Sequence, residues 1–506
     1  MTMLAAGEKR AAPRVEGPSA DGPAPELIEA GFGWEIADAG VLHHGLNIAD
    51  FAHVLDLHHR AIISDDVARE LLSVLLEAHR RDASDFPYDP HHGEAYNSRE
   101  RFFAERIGDC AGWLHAGRPR REAARVAFRI VLRRLTAELL KSGASFAEAA
   151  CAVADRHRES FMADQTYLQQ AQPSTFGHYL LGFVPPALRD GERLLSALHA
   201  VNRSPGGAGC VNGSHLLADR GYLASLLGFE AVIEHTRDAM WQVDTFIDIL
   251  STGVSLLSNQ SKLAEDLEIW SSQEFNYVDL AGPYTRSSVL MPQKRNPYAL
   301  TIIRGGSGML IGRLSGFLAV VKTPSARSDN LIFAYGELPR ALDYAVKISN
   351  LSRGVVKTLT VNEDRLWKAL EAGFSQATDL AEYVMVECGI DYRSAYKIVG
   401  QAVREASAAG RRGVDVDAEG IRRAAQQVAG LDLALDPGKL AAALDPRQIV
   451  ASRSAHGGAA PAVVADMAAR FAQSATELGC QAGTQLAHFD EVEQQLLQRV
   501  ETLVNG

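Results

Sequence analysis
Hydroxyls, cations and an amide crowd into one short stretch of this chain, Thr285-Arg286-Ser287-Ser288-Val289-Leu290-Met291-Pro292-Gln293-Lys294-Arg295-Asn296-Pro297. A serine is a poor base until its hydroxyl is acidified, and an ammonium beside it does this by favouring the alkoxide. The same cation can also grip a carboxylate. The stretch therefore holds the parts needed to take a proton from a carbon next to a carboxylate. A plainer account is a solvated helix N-terminus with serine capping, and composition alone favours it. The Ala281-Gly282-Pro283 hinge before the stretch and the helical stripe after it fit both accounts.

Other chemistries find less support. The five cysteines (Cys110, Cys151, Cys210, Cys388, Cys480) are scattered and odd in number. No CxxC or Cys/His cluster frames a disulfide set or a zinc site. The sixteen histidines include the pairs His43-His44, His58-His59 and His91-His92, but no HExxH, so metal binding is not expected. The Gly-rich run Pro205-Gly206-Gly207-Ala208-Gly209 lacks the lysine and hydroxyl of a phosphate cradle. No Gly-x-Ser-x-Gly elbow supports a serine hydrolase.

The elements that must position the reactive stretch read as helices. Val243, Phe246, Ile247, Leu250, Val254 and Leu257 recur at helical spacing. Similar stripes run through 121–142, 174–201, 297–322, 338–358 and 379–408, and strand-type alternation is nearly absent. The fold class is all-α, with a bundle of long helices in the middle. Residues 1–38 read as a flexible tail, 39–124 as an N-terminal helical domain, 125–373 as the central bundle carrying the loop 282–297, and 374–506 as a C-terminal helical domain and tail. With 51 Lys+Arg against 62 Asp+Glu the net charge is −11, which argues against a general nucleic-acid binder. No apolar run approaches the roughly 20 residues of a membrane span, and no signal peptide is visible, so the cytoplasm is the expected location.

The order of residues in the stretch resembles the signature GSSxMPxKxN of the fumarase/aspartase superfamily, closest in its argininosuccinate lyase branch. Trp113-Leu114-His115-Ala116-Gly117-Arg118-Pro119-Arg120 is similar to that branch's first region, and Thr166-Tyr167-Leu168-Gln169-Gln170-Ala171-Gln172-Pro173 to its second. Ala377-Thr378-Asp379-Leu380-Ala381 and Ile398-Val399-Gly400-Gln401-Ala402-Val403 match its C-terminal domain. The resemblance implies three helical domains and a homotetramer whose long helices form a twenty-helix core. Each active site then draws its three regions, here around Arg120, Thr166 and Ser288, from three chains. It implies no metal or organic cofactor, and a small dicarboxylate as substrate. The reaction it implies is a carbon–nitrogen lyase's anti-elimination from a substituted succinate, releasing fumarate. Ser288 would be the base, assisted by Lys294. Thr166, Asn296 and Arg120 would hold the carboxylates, with Thr285, Met291 and Gln169 beside them in the substrate-binding set.

The chain also departs from the pattern. The signature's glycine is Ser287 and its second serine is Val289. The branch's His–Glu pair is replaced on both sides, by Tyr167 and Thr301. A phenol is a weaker acid than an imidazolium, so Tyr167 as proton donor suits a leaving group that needs little protonation, such as nitrite, a hydrazine or a guanidine-like nitrogen. Plain packing of Tyr167 is the equal alternative. In the distal pocket an amide becomes Arg121, and ungapped extension from the loop places Arg327, Ile332 and Tyr335 there. Arginines at 121 and 327 would favour an anionic or polar substituent, while surface pairing with Asp329 or Glu337 is the bland alternative. His43 and His44 lie where a substitute acid would be sought. The competing functions are a carboxymuconate-type cycloisomerase, whose branch also lacks the His–Glu pair, and a catalytically silent structural tetramer.

Overall fold
The computed structural model describes residues 22–327 and 329–506. In chain order the elements that matter are α1 (Gly33–His59), α2 (Asp65–His79), α3 (Ala95–Ile107), α4 (Arg120–Arg156), β1 (Phe161–Thr166), β2 (Gln169–Thr175), α5 (Val184–Val201) and α6 (Asp244–Trp270). There follow β3 (Arg286–Ser287), β4 (Arg295–Asn296), α7 (Tyr298–Val320), α8 (Glu337–Thr358), α9 (Ala377–Cys388), α10 (Tyr392–Ala408), α11 (Ala418–Ala429) and α12 (Pro461–Asn505). Helices dominate, and the strands are short two-stranded ribbons.

Three of the four apolar cores among the described residues hold these elements. The largest runs along α4, α5, α6, α7 and α8, with Phe128, Leu139, Leu194, Phe246, Leu257, Leu300 and Leu342 all buried. The long stripes seen in the sequence are the inward faces of these helices. A second core, built on Phe51, Leu71, Leu75 and Phe103, closes the N-terminal domain. A third, small core lies under α9, α10 and α11 around Leu380, Ile398 and Ile421.

Several boundaries differ from those the sequence implied. Residues 1–21 of the expected tail lie outside the described residues, but the rest of it is helical. Pro25 starts the helix, with Glu26 in its first turn, and the helical path continues through α1. The region 374–506 is not one domain. Helix α12, 45 residues long, leaves the small C-terminal core and returns to the bundle, where Val464, Ala475, Ala482 and Phe489 are buried in the main core. Leu496 and Val500 at its end enter the N-terminal core. The stripe 379–408 is two helices, because Gly389 takes the left-handed conformation (φ 62°) that ends α9. The strands are few and short, but both reactive loops ride on them, on the antiparallel ribbons β1–β2 and β3–β4.

Candidate active site
The signature stretch is a hairpin. Arg286 pairs with Asn296 and Ser287 with Arg295, and Ser288 N–H donates to the Lys294 carbonyl at 3.3 Å. Asn296 Nδ2 donates to the Arg286 carbonyl (2.9 Å), and Thr285 Oγ1 to the Gly282 carbonyl (2.8 Å). Arg295 ties the base of the hairpin to Asp279 at 2.9 Å. At its tip, Ser288 Oγ accepts the backbone N–H groups of Leu290 (3.3 Å) and Met291 (3.0 Å). Two amide donors on one hydroxyl oxygen stabilise negative charge there, as an oxyanion hole does. Lys294 is exposed and its Nζ makes no hydrogen bond or ion pair among the described residues, so within one chain it does not touch Ser288 Oγ. The apolar tip residues Val289 and Leu290 are exposed.

The second region is the turn of the β1–β2 hairpin. Thr166 pairs with Gln169 across the two-residue turn Tyr167-Leu168, and both turn residues have positive φ, 54° and 58°. Such a turn prefers Asn-Gly, and bulky side chains there store backbone strain of about 1 kcal/mol or more each. The effect is to push Tyr167 out of the fold, where it is 99% exposed. Thr166 and Gln169 are exposed beside it.

The first region begins α4, where Arg120 and Arg121 enter a cleft also lined by Glu35, Asp38, Glu94, Ile332 and Tyr335. The arginine charges are already matched. Arg121 pairs with Glu94 (3.1 Å) and Glu35 (3.6 Å), and Arg120 with Glu94 (3.3 Å), Glu100 (3.7 Å) and Asn97. Burial pushes the Glu35 carboxyl up from its ordinary value, with Arg121 opposing. Burial also raises the Tyr335 phenol, and neither its hydroxyl nor Asp38 Oδ2 has a hydrogen-bond partner among the described residues. Of the two arginines expected in this pocket, Arg121 lines it. Arg327 is exposed and does not line the cleft, and the partners of Arg121 are Glu35 and Glu94, not Glu337.

One chain does not bring these regions together. Arg120 starts a 37-residue helix, roughly 55 Å long at 1.5 Å per residue, and Thr166 follows from its other end. The hairpin of Ser288 follows α6, whose C-terminal Trp270 donates to Gln165 (3.2 Å), so it belongs to the Thr166 end. His43 and His44 are not free acids. His43 is buried against Tyr88 (2.7 Å) and His44 contacts Glu493 (3.0 Å). Glu122, which sequence reasoning passed over, is fully buried in the first turn of α4. It accepts the Gly207 (2.7 Å) and Gly209 (2.6 Å) amides, turned toward it by φ of 74° and 61°, and burial pushes its carboxyl up to about 7. The Gly-rich run is thus a cradle for a carboxylate of the chain itself. Its pairing with the position two after Arg120 was the available signal. Among the described residues no group of three His, Cys, Asp or Glu is placed to hold a metal ion.

Comparison with known proteins decides the family. The sequence pattern described as Lyase matches residues 61–312, and that described as Argininosuccinate lyase C-terminal matches 374–451. The argininosuccinate lyase of Methanoculleus marisnigri is 33% identical over 423 residues, 83% of this chain and 84% of that protein. The chain belongs to the fumarase/aspartase superfamily, in its argininosuccinate lyase branch. It is an enzyme of the carbon–nitrogen lyase class. Among solved structures, EDDS lyase in complex with formate superposes with a TM-score of 0.85 at 25% identity, covering 97% of this chain and 98% of the other. The 3-carboxy-cis,cis-muconate lactonizing enzyme of Pseudomonas putida shares the fold, with a TM-score of 0.68 at 16% identity, over 90% of this chain and 98% of its own. No helix among the described residues of this family member is long and apolar enough to cross a membrane.

Proposed function
We propose that this lyase cleaves an N-substituted aspartate by anti-elimination, releasing fumarate and an amine or guanidine-type nitrogen compound. The Ser288 alkoxide takes the proton from the carbon beside one carboxylate. The electron pair rests in an aci-carboxylate held by Lys294, Asn296, Thr166 and Arg120, then returns to form the double bond as the C–N bond breaks. The departing nitrogen takes its electron pair and a proton, which Tyr167 donates. The observation that carries this reading is the pair of backbone amides on Ser288 Oγ at the tip of an exposed hairpin.

The site is completed by other copies of the chain. Two features support this. Tyr167, Val289 and Leu290 project outward from rigid ribbons, although each is large and apolar or aromatic. Helix α7 also exposes Met309, Ile311 and Leu318 together with Gly305, Gly308, Gly312 and Gly316, where a Cβ would meet nothing within 4 Å among the described residues apart from the backbone of its own helix. An apolar, small-residue face of this length on a mid-bundle helix fits close packing against the same helix of a partner, as in a homotetramer.

The leaving group follows from the cleft at Arg121. There Glu35 and Glu94 pair with Arg121 and Asp38 Oδ1 with Arg340, which leaves Asp38 Oδ2 and the Tyr335 hydroxyl as acceptors with no partner among the described residues. A nitrogen with several N–H donors fits this lining better than an anion such as nitrite. The test is the ultraviolet absorbance of fumarate formed from aspartates substituted with amines, diamines, guanidines and hydrazines. Fumarate is expected from cationic substituents. Turnover should fall by about 10²- to 10⁴-fold in Ser288→Ala, with the oligomer unchanged in sedimentation. Silence across the panel, or full activity in Ser288→Ala, overturns the reading.

A further inference from the structure
Away from both reactive hairpins, a cavity of about 430 Å³ opens where α4, the C-terminal turn of α5 and the start of α6 meet. Arg129 of α4 lines it and is only 5% exposed. Its Nη1 donates to the Ala200 and Val201 carbonyls at 3.2 and 3.1 Å, and its buried Nε has no acceptor among the described residues. No carboxylate pairs with it among the described residues. Burial, reinforced by the neighbouring Arg125, pulls its guanidinium down to about 9, which marks a cation held without full compensation.

The same cavity is lined by Arg203, Glu234, Asp238 and Asp244, and none of these side chains forms an ion pair among the described residues. Asp238 and Asp244 favour the Arg129 cation from a distance without touching it. Some arginines of this chain close onto carboxylates one turn away, as Arg412 does on Asp415 and Arg422 on Glu419, whereas Arg125 and Arg133 of α4, like Arg129, donate to backbone carbonyls. Here Arg129 is anchored on the two α5 carbonyls, and the acids stand on the α6 side, beyond ion-pair distance. Charges of both signs, held apart around one cavity, match a ligand that carries both signs itself. Two cations against three anions leave one negative charge over, so the matching ligand has one positive charge more than negative.

We propose that this cavity binds a basic α-amino acid, its carboxylate on Arg129 and Arg203 and its two cationic nitrogens on Asp238, Asp244 and Glu234. The proposal stands apart from the elimination site. Titration calorimetry of the full-length protein with L-lysine, 1,4-diaminobutane and acetate tests it. Lysine is expected to bind, with the diamine and acetate at least about tenfold weaker. Arg203→Gln and Asp238→Asn should each weaken lysine about tenfold with the melting temperature unchanged. Arg120→Gln, at the other site, should leave lysine affinity intact. Absence of binding at millimolar lysine overturns the proposal. So does equal binding of the diamine, or an affinity that responds to Arg120→Gln and not to Arg203→Gln.

Discussion

Single side chains in this protein do their work through backbone partners. Ser288 Oγ sits on two amides, and Glu122 on two more. Glu122→Gln puts an NH₂ group against one of the Gly207 and Gly209 donors. The loss should be roughly 1–3 kcal/mol, read as a lower melting temperature with the fold intact by circular dichroism. His43 gives the pH dependence its sign. Burial and the Arg99 guanidinium hold it at about 4, below the ordinary 6.5. Its folded value is depressed, so its stabilisation is present above pH 6.5 and is lost as pH falls from 6.5 toward 4. Melting temperature should therefore drop across that window, and His43→Gln should flatten the drop. At this scale the sequence pointed to Ser288, Lys294 and Asn296 through a local motif that fixes their spacing, and the structure carries all three on one hairpin. It misjudged Arg121, whose partners Glu35 and Glu94 lie 86 and 27 residues away in the chain and come together only when α1 packs beside α4.

The two ribbons are the elements that turn residues into a site. The β1–β2 hairpin escaped sequence reading for a physical reason. Its turn is Tyr-Leu where Asn-Gly would be expected, and its strands mix Gln, Asp, Thr and Ser on both faces, so no alternation marks them. That turn keeps its strain because Tyr167 has to stand outside the fold. Replacing Tyr167-Leu168 with Asn-Gly gives the turn its preferred residues. The variant should melt higher, by the equivalent of about 1–2 kcal/mol, while fumarate release falls. Equal activity in the variant would show that Tyr167 is merely exposed. The long helices were legible because each buries a continuous stripe, and only their ends moved, as at Gly389.

Over the whole molecule, α4 acts as a spacer of roughly 55 Å that keeps Arg120 from ever meeting Thr166 of its own chain. Sedimentation should give a tetramer, held by the exposed face of α7. Ser288→Ala and Arg120→Gln, each inactive alone, should regain part of the activity when unfolded and refolded together, because some mixed sites then carry neither lesion. No recovery would place the whole site within one chain.

The sequence by itself determined the helical class, the signature loop and the family, since these rest on local spacing and on order along the chain. Only the tertiary structure decided that α12 returns to the main core, that the arginines at α4 are neutralised by distant carboxylates, and that both reactive loops are strained or amide-lined ribbons facing outward. Each of those depends on contacts between residues far apart in the chain. Such contacts are set by which apolar faces find each other in the fold, and no local pattern encodes them.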